Sequence, residues 1–146
     1  MHLFIMDIIW RASLFDRMGG RAPLLRLLNH FYADVRQHRV LGPVFESKIA
    51  DWPAHIQKIA DFWSNATGGP ALYAGAMPGR HIPLGLEEGH FQAWLGLWEH
   101  NCRIWAPKGC AEELVTLAQN IGRRLRQFCG VAVPAHGRIV ASAEAE

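Results

Sequence analysis

The chain has 146 residues, suited to one domain, and half of them are hydrophobic, enough for a real core. The formal net charge of +2 is small, and no run of Lys or Arg exceeds two, which argues against a nucleic-acid surface. Three cysteines without CxxC spacing (Cys102, Cys110 and Cys129) favour reduced thiols in a cytoplasmic protein over a disulfide framework.

The apolar start, MHLFIMDIIW, carries Asp7 and is too short for a membrane span. It also lacks the basic start and the cleavage site of a signal peptide. We interpret residues 1–20 as an N-terminal extension or a first helix, 21–130 as the single domain, and 131–146 as a tail that we expect to be mobile, since it has no periodicity.

Apolar residues at steps of three and four predict a helix over Pro23 to Gln37, with Pro23 in its first turn. The stretch RVLGPVF that follows is expected to break at Gly42-Pro43. The next helix should begin after Asp51, an N-cap residue, and run to about Thr67.

Two long helices are expected in the second half of the chain. One carries Phe91 and Trp94 on its apolar face and ends before Pro107. The other runs from about Ala111 to Phe128, with Gly130 at a C-cap position. Its inward residues are expected to be Leu114, Leu117, Ala118, Ile121, Leu125 and Phe128. Because no segment alternates with period two, the sequence predicts an all-α domain.

Two of the eight histidines stand out as candidates for chemistry. His55 shares a helical face with Ile59 and should point inward, although a core histidine bonded to a backbone carbonyl would show the same pattern. His81 lies in MPGRHIPL, where prolines and a glycine constrain an irregular segment, and the ordinary alternative is an exposed loop histidine. His90 is either a helix cap or a weak candidate ligand, and the others are expected at the surface or at chain and helix ends.

The familiar enzyme motifs GxSxG and HExxH, the phosphate-binding glycine loop and the spacing of zinc ligands are absent from the sequence. An all-α chain with an aromatic interior, one inward histidine and one constrained loop histidine suggests haem instead. Its iron takes one imidazole on one face and leaves the opposite face for a small gas.

The chain resembles the truncated haemoglobins, bacterial globins with a two-over-two helical sandwich. The likeness is carried by HFYADVR, LGPVFESKIADWPAHIQKIADFWS, YAGAMPGRHIPL and HFQAWLGLWE, which follow one another from His30 to Glu99 at compatible spacing. The histidine in WPAHIQKIADFW favours the third group of the family, whereas the pair Gly19-Gly20 is a feature of the first two groups. The resemblance implies a haem b cofactor, iron protoporphyrin IX.

Residue by residue, the resemblance implies that His81 binds the haem iron and that Tyr32, His55 and Trp94 face the ligand on the distal side. His55 could donate to the ligand, act as a swinging gate or bind iron when no ligand is present. From the residues alone, the ordinary alternatives are a core tyrosine for Tyr32 and a packed tryptophan for Trp94. The remaining implied cofactor contacts are Phe31, Phe45, Ile56, Ile59, Trp63 and, for a haem propionate, Arg80.

The expected function is to bind dioxygen or another diatomic gas such as NO or CO. Donors in an apolar pocket slow the escape of a ligand that carries partial negative charge. This favours ligand activation, as in a nitric oxide dioxygenase or a peroxidase-like protein that needs a separate reductase, over simple oxygen transport. The alternatives are oxygen storage or sensing without turnover, and a haem-free helical interaction module.

Overall fold

The computed structural model describes residues 12–73 and 85–130, together with the backbone of 134–135 and 138–139. Residues 1–11 and most of the tail lie outside the described residues. The predictions of an N-terminal extension or first helix and of a mobile tail fall largely on these residues. The helices in the described part are α1 (Leu14–Met18), α2 (Arg21–Gln37), α3 (Leu41–Glu46), α4 (Trp52–Ala66), α5 (Glu88–Trp105) and α6 (Ala111–Phe128). Two-residue strands β1 (Pro134–Ala135) and β2 (Arg138–Ile139) pair antiparallel within the tail.

Helix α2 lies at the centre of the domain because it packs against α3, α4 and α5, while α5 packs against α6. One face of α2 is buried along its whole length, as its periodicity predicts, and it supplies much of the core. The predicted all-α class is confirmed. No helix among the described residues is long and apolar enough to cross a membrane.

Helix α4 begins and ends where the sequence places it. The carboxylate of Asp51 accepts a hydrogen bond from the backbone N–H of Ala54 at 3.1 Å, and Pro53 lies in the first turn. The chain leaves α4 through Gly68, whose φ of 86° belongs to the left-handed region that glycine tolerates best. These two signals set where α4 begins and where the chain leaves it.

The expected break at Gly42-Pro43 is wrong, because α3 runs through both residues. Proline is accepted in a first helical turn, where its missing N–H would have no intrahelical partner. Glycine is needed beside it, since a Cβ at position 42 would lie 2.6 Å from the carbonyl oxygen of Arg36. The Gly-Pro pair therefore marks a close approach of α3 to the end of α2.

Two other side chains at helix ends refine the sequence analysis. Phe128 was expected to face inward, but it is 53% exposed in the last turn of α6, beyond the core, and that prediction is wrong. The Nδ1 atom of His38 accepts hydrogen bonds from the backbone N–H groups of Val40 and Leu41, at 3.0 and 3.2 Å. It therefore caps the start of α3 as well as ending α2.

Candidate functional site

A cavity of about 460 Å³ opens among α2, α4, α5 and α6, a size usual for small-molecule and cofactor pockets. Its walls are mainly apolar and aromatic. Phe45 and Trp63 line it from the side of α3 and α4, and Phe91 and Leu125 line it from the side of α5 and α6. Such a lining suits a largely apolar ligand.

Three polar side chains from three helices meet at this cavity. Tyr32 of α2, His55 of α4 and Trp94 of α5 all line it. The rings of Tyr32 and His55 lie edge to face, with centroids 5.8 Å apart. They are the three residues for which the resemblance implies a distal role, and the fold brings them together.

Tyr32 is held as a neutral phenol. Burial raises its pKa well above the usual value of 10.0, and a side-chain hydrogen bond with Trp94 opposes part of that rise. Because this bond favours the phenolate, the indole N–H of Trp94 is its donor and the phenol oxygen its acceptor. The hydroxyl proton of Tyr32 therefore remains able to donate elsewhere.

The other predicted cofactor contacts divide into two sets within the described chain. Phe45, Ile59 and Trp63 line the cavity, whereas Phe31 and Ile56 are buried behind its wall. Phe31 packs edge-on against Tyr32, with ring centroids 4.8 Å apart, and therefore supports it from the core side. Arg80 and His81, the predicted propionate partner and iron ligand, lie outside the described residues.

The rim of the cavity near α4 carries positive charge. Lys48 and Lys58 line it and are exposed, and neither forms an ion pair within the described residues. Asp61 also lines the rim, but its carboxylate pairs with Arg21 at 2.9 Å. The two lysines are therefore available to acidic groups at the edge of a bound molecule.

The mouth of the cavity is shaped by the chain that leaves α4. The side chain of Asn65 accepts from the backbone N–H of Leu72 at 2.8 Å and donates to the carbonyl oxygen of Tyr73 at 3.0 Å. Both residues line the cavity. A single amide therefore fixes Leu72 and Tyr73 against the end of α4.

At the α5 end, a mostly buried ion pair backs the wall. Arg126 binds both carboxylate oxygens of Glu88 at 2.8 and 3.1 Å, and its guanidinium lies 5.3 Å from the ring centroid of Phe91. The Nδ1 atom of His90 accepts from the backbone N–H of Glu87 at 2.9 Å, so the capping alternative for this histidine is the one observed. His90 also lines the cavity.

Sequence reasoning did not find the rim lysines, Tyr73, or Trp52 beside the polar wall. Trp52 begins α4 and packs on Tyr32 and His55 at centroid distances of 5.8 and 5.5 Å. Its spacing of three residues from His55 was the available signal, because residues three apart are neighbours on a helix.

The cavity fits a haem by its chemistry. Its apolar walls suit a macrocycle, its rim cations suit carboxylates, and its polar wall suits a small ligand that carries partial negative charge. Among the described residues there is no group of three or more His, Cys, Asp or Glu side chains that could hold a bare metal ion.

Comparison with known proteins gives the class of protein. Residues 13–103 match the family model described as bacterial-like globin. The chain therefore belongs to the bacterial-like globin family, and this membership implies haem binding and a small diatomic ligand such as dioxygen. A curated relative, a group 3 truncated haemoglobin of Campylobacter jejuni, is 31% identical over 86 residues, which are 56% of this chain and 68% of that protein.

Solved structures agree with this assignment. A group III truncated haemoglobin from Campylobacter jejuni is 27% identical, with a TM-score of 0.71 over 75% of this chain and 91% of that chain. A group II truncated haemoglobin from Bacillus anthracis is 25% identical, with a TM-score of 0.64 over 75% and 90%. The 2/2 haemoglobin of Synechococcus sp. PCC 7002, 24% identical, has a TM-score of 0.71 over 81% and 98%. The predicted two-over-two globin fold is confirmed.

Proposed function

We propose that the cavity binds haem b, that His81 supplies the iron ligand, and that Tyr32, His55 and Trp94 hold a diatomic ligand for chemical conversion. The observation that carries the proposal is that these three polar side chains line one mainly apolar cavity, with the ring centroids of Tyr32 and His55 5.8 Å apart. When bound, the haem supplies a redox-active iron at which the gas is held. The protein supplies the donors around that gas.

Tyr32 is the principal donor in this proposal. Its raised pKa keeps the phenol protonated, so it donates a hydrogen bond at any physiological pH. Trp94 acts on the ligand through Tyr32, because its indole N–H binds the phenol oxygen and leaves the hydroxyl proton to the cavity. One donor bond to the ligand is worth roughly 1–3 kcal/mol, which slows escape by about 5- to 150-fold.

Retention of the ligand favours conversion over delivery. A carrier must release its gas, whereas buried donors aimed at developing negative charge stabilise a reacting ligand. The proposed activity is the reaction of nitric oxide with dioxygen to nitrate, or the reduction of a peroxide, with electrons from a separate reductase. Lys48 and Lys58, which line the rim, would hold the haem propionates, and Arg80 is the further partner that the resemblance implies.

Cofactor binding is tested by the visible spectrum of the purified full chain. We expect a Soret band in the wild type and its loss or displacement in His81→Ala. His100→Ala is the control, because His100 is exposed on α5 and does not line the cavity. A colourless protein that fails to take up added haem would overturn the proposal. A normal spectrum in His81→Ala would move the iron ligand to another residue.

Conversion is tested by mixing the oxygenated protein with nitric oxide and measuring nitrate. Tyr32→Phe keeps the ring but removes the hydroxyl, and we expect it to lose dioxygen faster and to form less nitrate in each cycle. Tyr73→Phe is the matched control, since Tyr73 lies at the mouth of the same cavity. Equal dioxygen release and nitrate yield in Tyr32→Phe and wild type would contradict the donor role of Tyr32.

A further inference from the structure

Three tryptophans with nearly parallel rings connect the cavity to the core. The rings of Trp63 and Trp98 have centroids 4.5 Å apart and planes at 14°, and those of Trp94 and Trp98 have centroids 6.4 Å apart and planes at 7°. Trp63 and Trp94 line the cavity, whereas Trp98 is fully buried. Trp98, which both contacts share, therefore reaches the occupant of the cavity through two neighbouring indoles.

The surroundings of Trp98 stabilise a positive charge on its ring. Aromatic rings have a negative face, and the face of Trp63 is turned towards Trp98. A cation within about 6 Å of such a face is attracted to it, and indole is the most effective ring. The indole N–H of Trp98 also donates to the carbonyl oxygen of Leu114 at 3.0 Å, and such a bond strengthens when its donor is charged. Both contacts oppose the unfavourable burial of a charge.

An indole in such a place is suited to give up one electron. Indole is among the side chains from which an electron is removed most readily, and its loss leaves a radical cation. The carbonyl oxygen of Leu114 is too weak a base to take the N–H proton, so the positive charge stays on the ring of Trp98. Oxidation of Tyr32 would instead require release of its hydroxyl proton, which burial resists by raising the pKa of the phenol.

We propose that Trp98 is an internal electron donor for the reduction of hydrogen peroxide, and that Trp63 and Trp94 connect it to the bound cofactor. The inference rests on the proposed function, to which it adds a substrate and a source of electrons within the chain. Trp98 does not touch the substrate, because it acts through the two indoles that line the cavity.

Reduction of hydrogen peroxide to two molecules of water breaks the O–O bond and takes two electrons and two protons. In the proposal the iron gives up one electron and Trp98 gives up the other. The two protons come from solvent. The separate reductase then returns one electron to the iron and one to the Trp98 radical cation, so that peroxide is reduced, the reductase is oxidised and the chain is unchanged.

Formation of the radical is measured by electron paramagnetic resonance. The haem-loaded full chain in its ferric state is mixed with an equal amount of hydrogen peroxide, without a reductant, and frozen. We expect a radical signal that narrows when the tryptophan rings are deuterated and keeps its width when the tyrosine rings are deuterated. In Trp98→Phe the tryptophan signal should fall about tenfold, because the indoles that remain at the cavity lose their stacked neighbour.

Trp105→Phe is the matched control. Trp105 lies on the same helix as Trp98, stacks on the exposed His30 with centroids 3.6 Å apart and does not line the cavity. The radical signal of Trp105→Phe should therefore have the wild-type amplitude. Loss of the signal in this variant would overturn the proposal, because the electron would then come from Trp105.

The outcomes separate the two proposals. Failure to take up haem overturns both. A haem-loaded chain that leaves hydrogen peroxide intact overturns the electron-donor role and leaves gas binding and nitric oxide conversion in place. Consumption of peroxide with equal tryptophan signals in Trp98→Phe and wild type overturns the role of Trp98 alone. So does a wild-type signal that tryptophan deuteration does not change, and this result decides the question even if Trp98→Phe fails to fold.

Discussion

The indole rings of Trp63 and Trp98 stack with their centroids 4.5 Å apart and their planes 14° from parallel. Trp63 lines the cavity from α4, whereas Trp98 of α5 is fully buried behind it. Trp98 also donates its indole N–H to the carbonyl oxygen of Leu114 in α6, at 3.0 Å. Trp98 therefore connects the part of the cavity wall that α4 forms to α5 and α6.

Trp98→Phe should destabilise the protein by about 2 kcal/mol, because it removes a buried hydrogen bond and reduces the stacked area. The free energy of unfolding is measured by urea denaturation with the cofactor-free protein. Trp105→Phe, at the half-buried indole of the same helix, should show a much smaller loss. Equal losses in the two variants would show that the contact between Trp98 and α6 adds no stability of its own.

The buried phenol of Tyr32 makes stability depend on alkaline pH. Its pKa is raised by burial from the ordinary 10.0, so the unfolded chain loses this proton at a lower pH than the folded protein does. The unfolded state then binds fewer protons, and stability falls as pH rises above about 10. Below that pH the contribution is fully present.

Tyr32→Phe should therefore flatten the fall in the free energy of unfolding between pH 10 and 11.5, measured by urea denaturation and compared with wild type. Tyr73→Phe supplies the control, because Tyr73 is only half-buried at the cavity mouth, and it should keep the wild-type slope. An identical slope in Tyr32→Phe and wild type would mean that Tyr32 ionises as readily in the folded protein as in the unfolded chain.

The rim lysines should govern retention of the cofactor more than stability of the fold. Replacing Lys48 and Lys58 together by Gln should speed the transfer of haem to an apoglobin scavenger several-fold, since each exposed ion pair contributes about 0.2–1 kcal/mol. The difference from wild type should shrink as salt is added, because exposed charges are screened. Lys108→Gln, on the connection between α5 and α6, should transfer haem at the wild-type rate.

Much of the fold was predictable because its signals are local. The Asp51 cap, the apolar face of α2 and the end of α6 near Gly130 each depend on residues within a few positions of one another. The helix through Gly42 and Pro43 was missed because its glycine serves a contact with α2, which no local pattern reveals.

The candidate site was less accessible to sequence reasoning. Tyr32, His55 and Trp94 lie far apart in the chain, and only the resemblance grouped them; their function remains a proposal. Lys48, which follows α3, and Lys58 of α4 line the same cavity. Side chains that converge only through helix packing leave no spacing to read, so the structure was needed to find them.

The ion pair of Arg126 and Glu88 should be the strongest polar support of the cavity wall. Its side chains are 9% and 18% exposed, and Arg126 covers the ring of Phe91, which lines the cavity. Removing one partner of such a pair leaves an uncompensated charge and typically costs 3–5 kcal/mol. Arg126→Ala should therefore destabilise the protein by about 3 kcal/mol in urea denaturation and speed haem loss, as Phe91 loses its cover.

Arg103→Ala tests whether burial causes the large loss of stability in Arg126→Ala. Arg103 pairs with Glu99 at 2.6 Å on the exposed face of α5, the helix that also carries Glu88. Its loss of stability should be much smaller than that of Arg126→Ala, and its rate of haem loss should equal that of wild type. The double variant Glu88→Gln with Arg126→Met should recover part of the stability lost in Arg126→Ala, since neither charge then remains buried alone. A double variant no more stable than Arg126→Ala would indicate that packing over Phe91, rather than charge pairing, holds the wall.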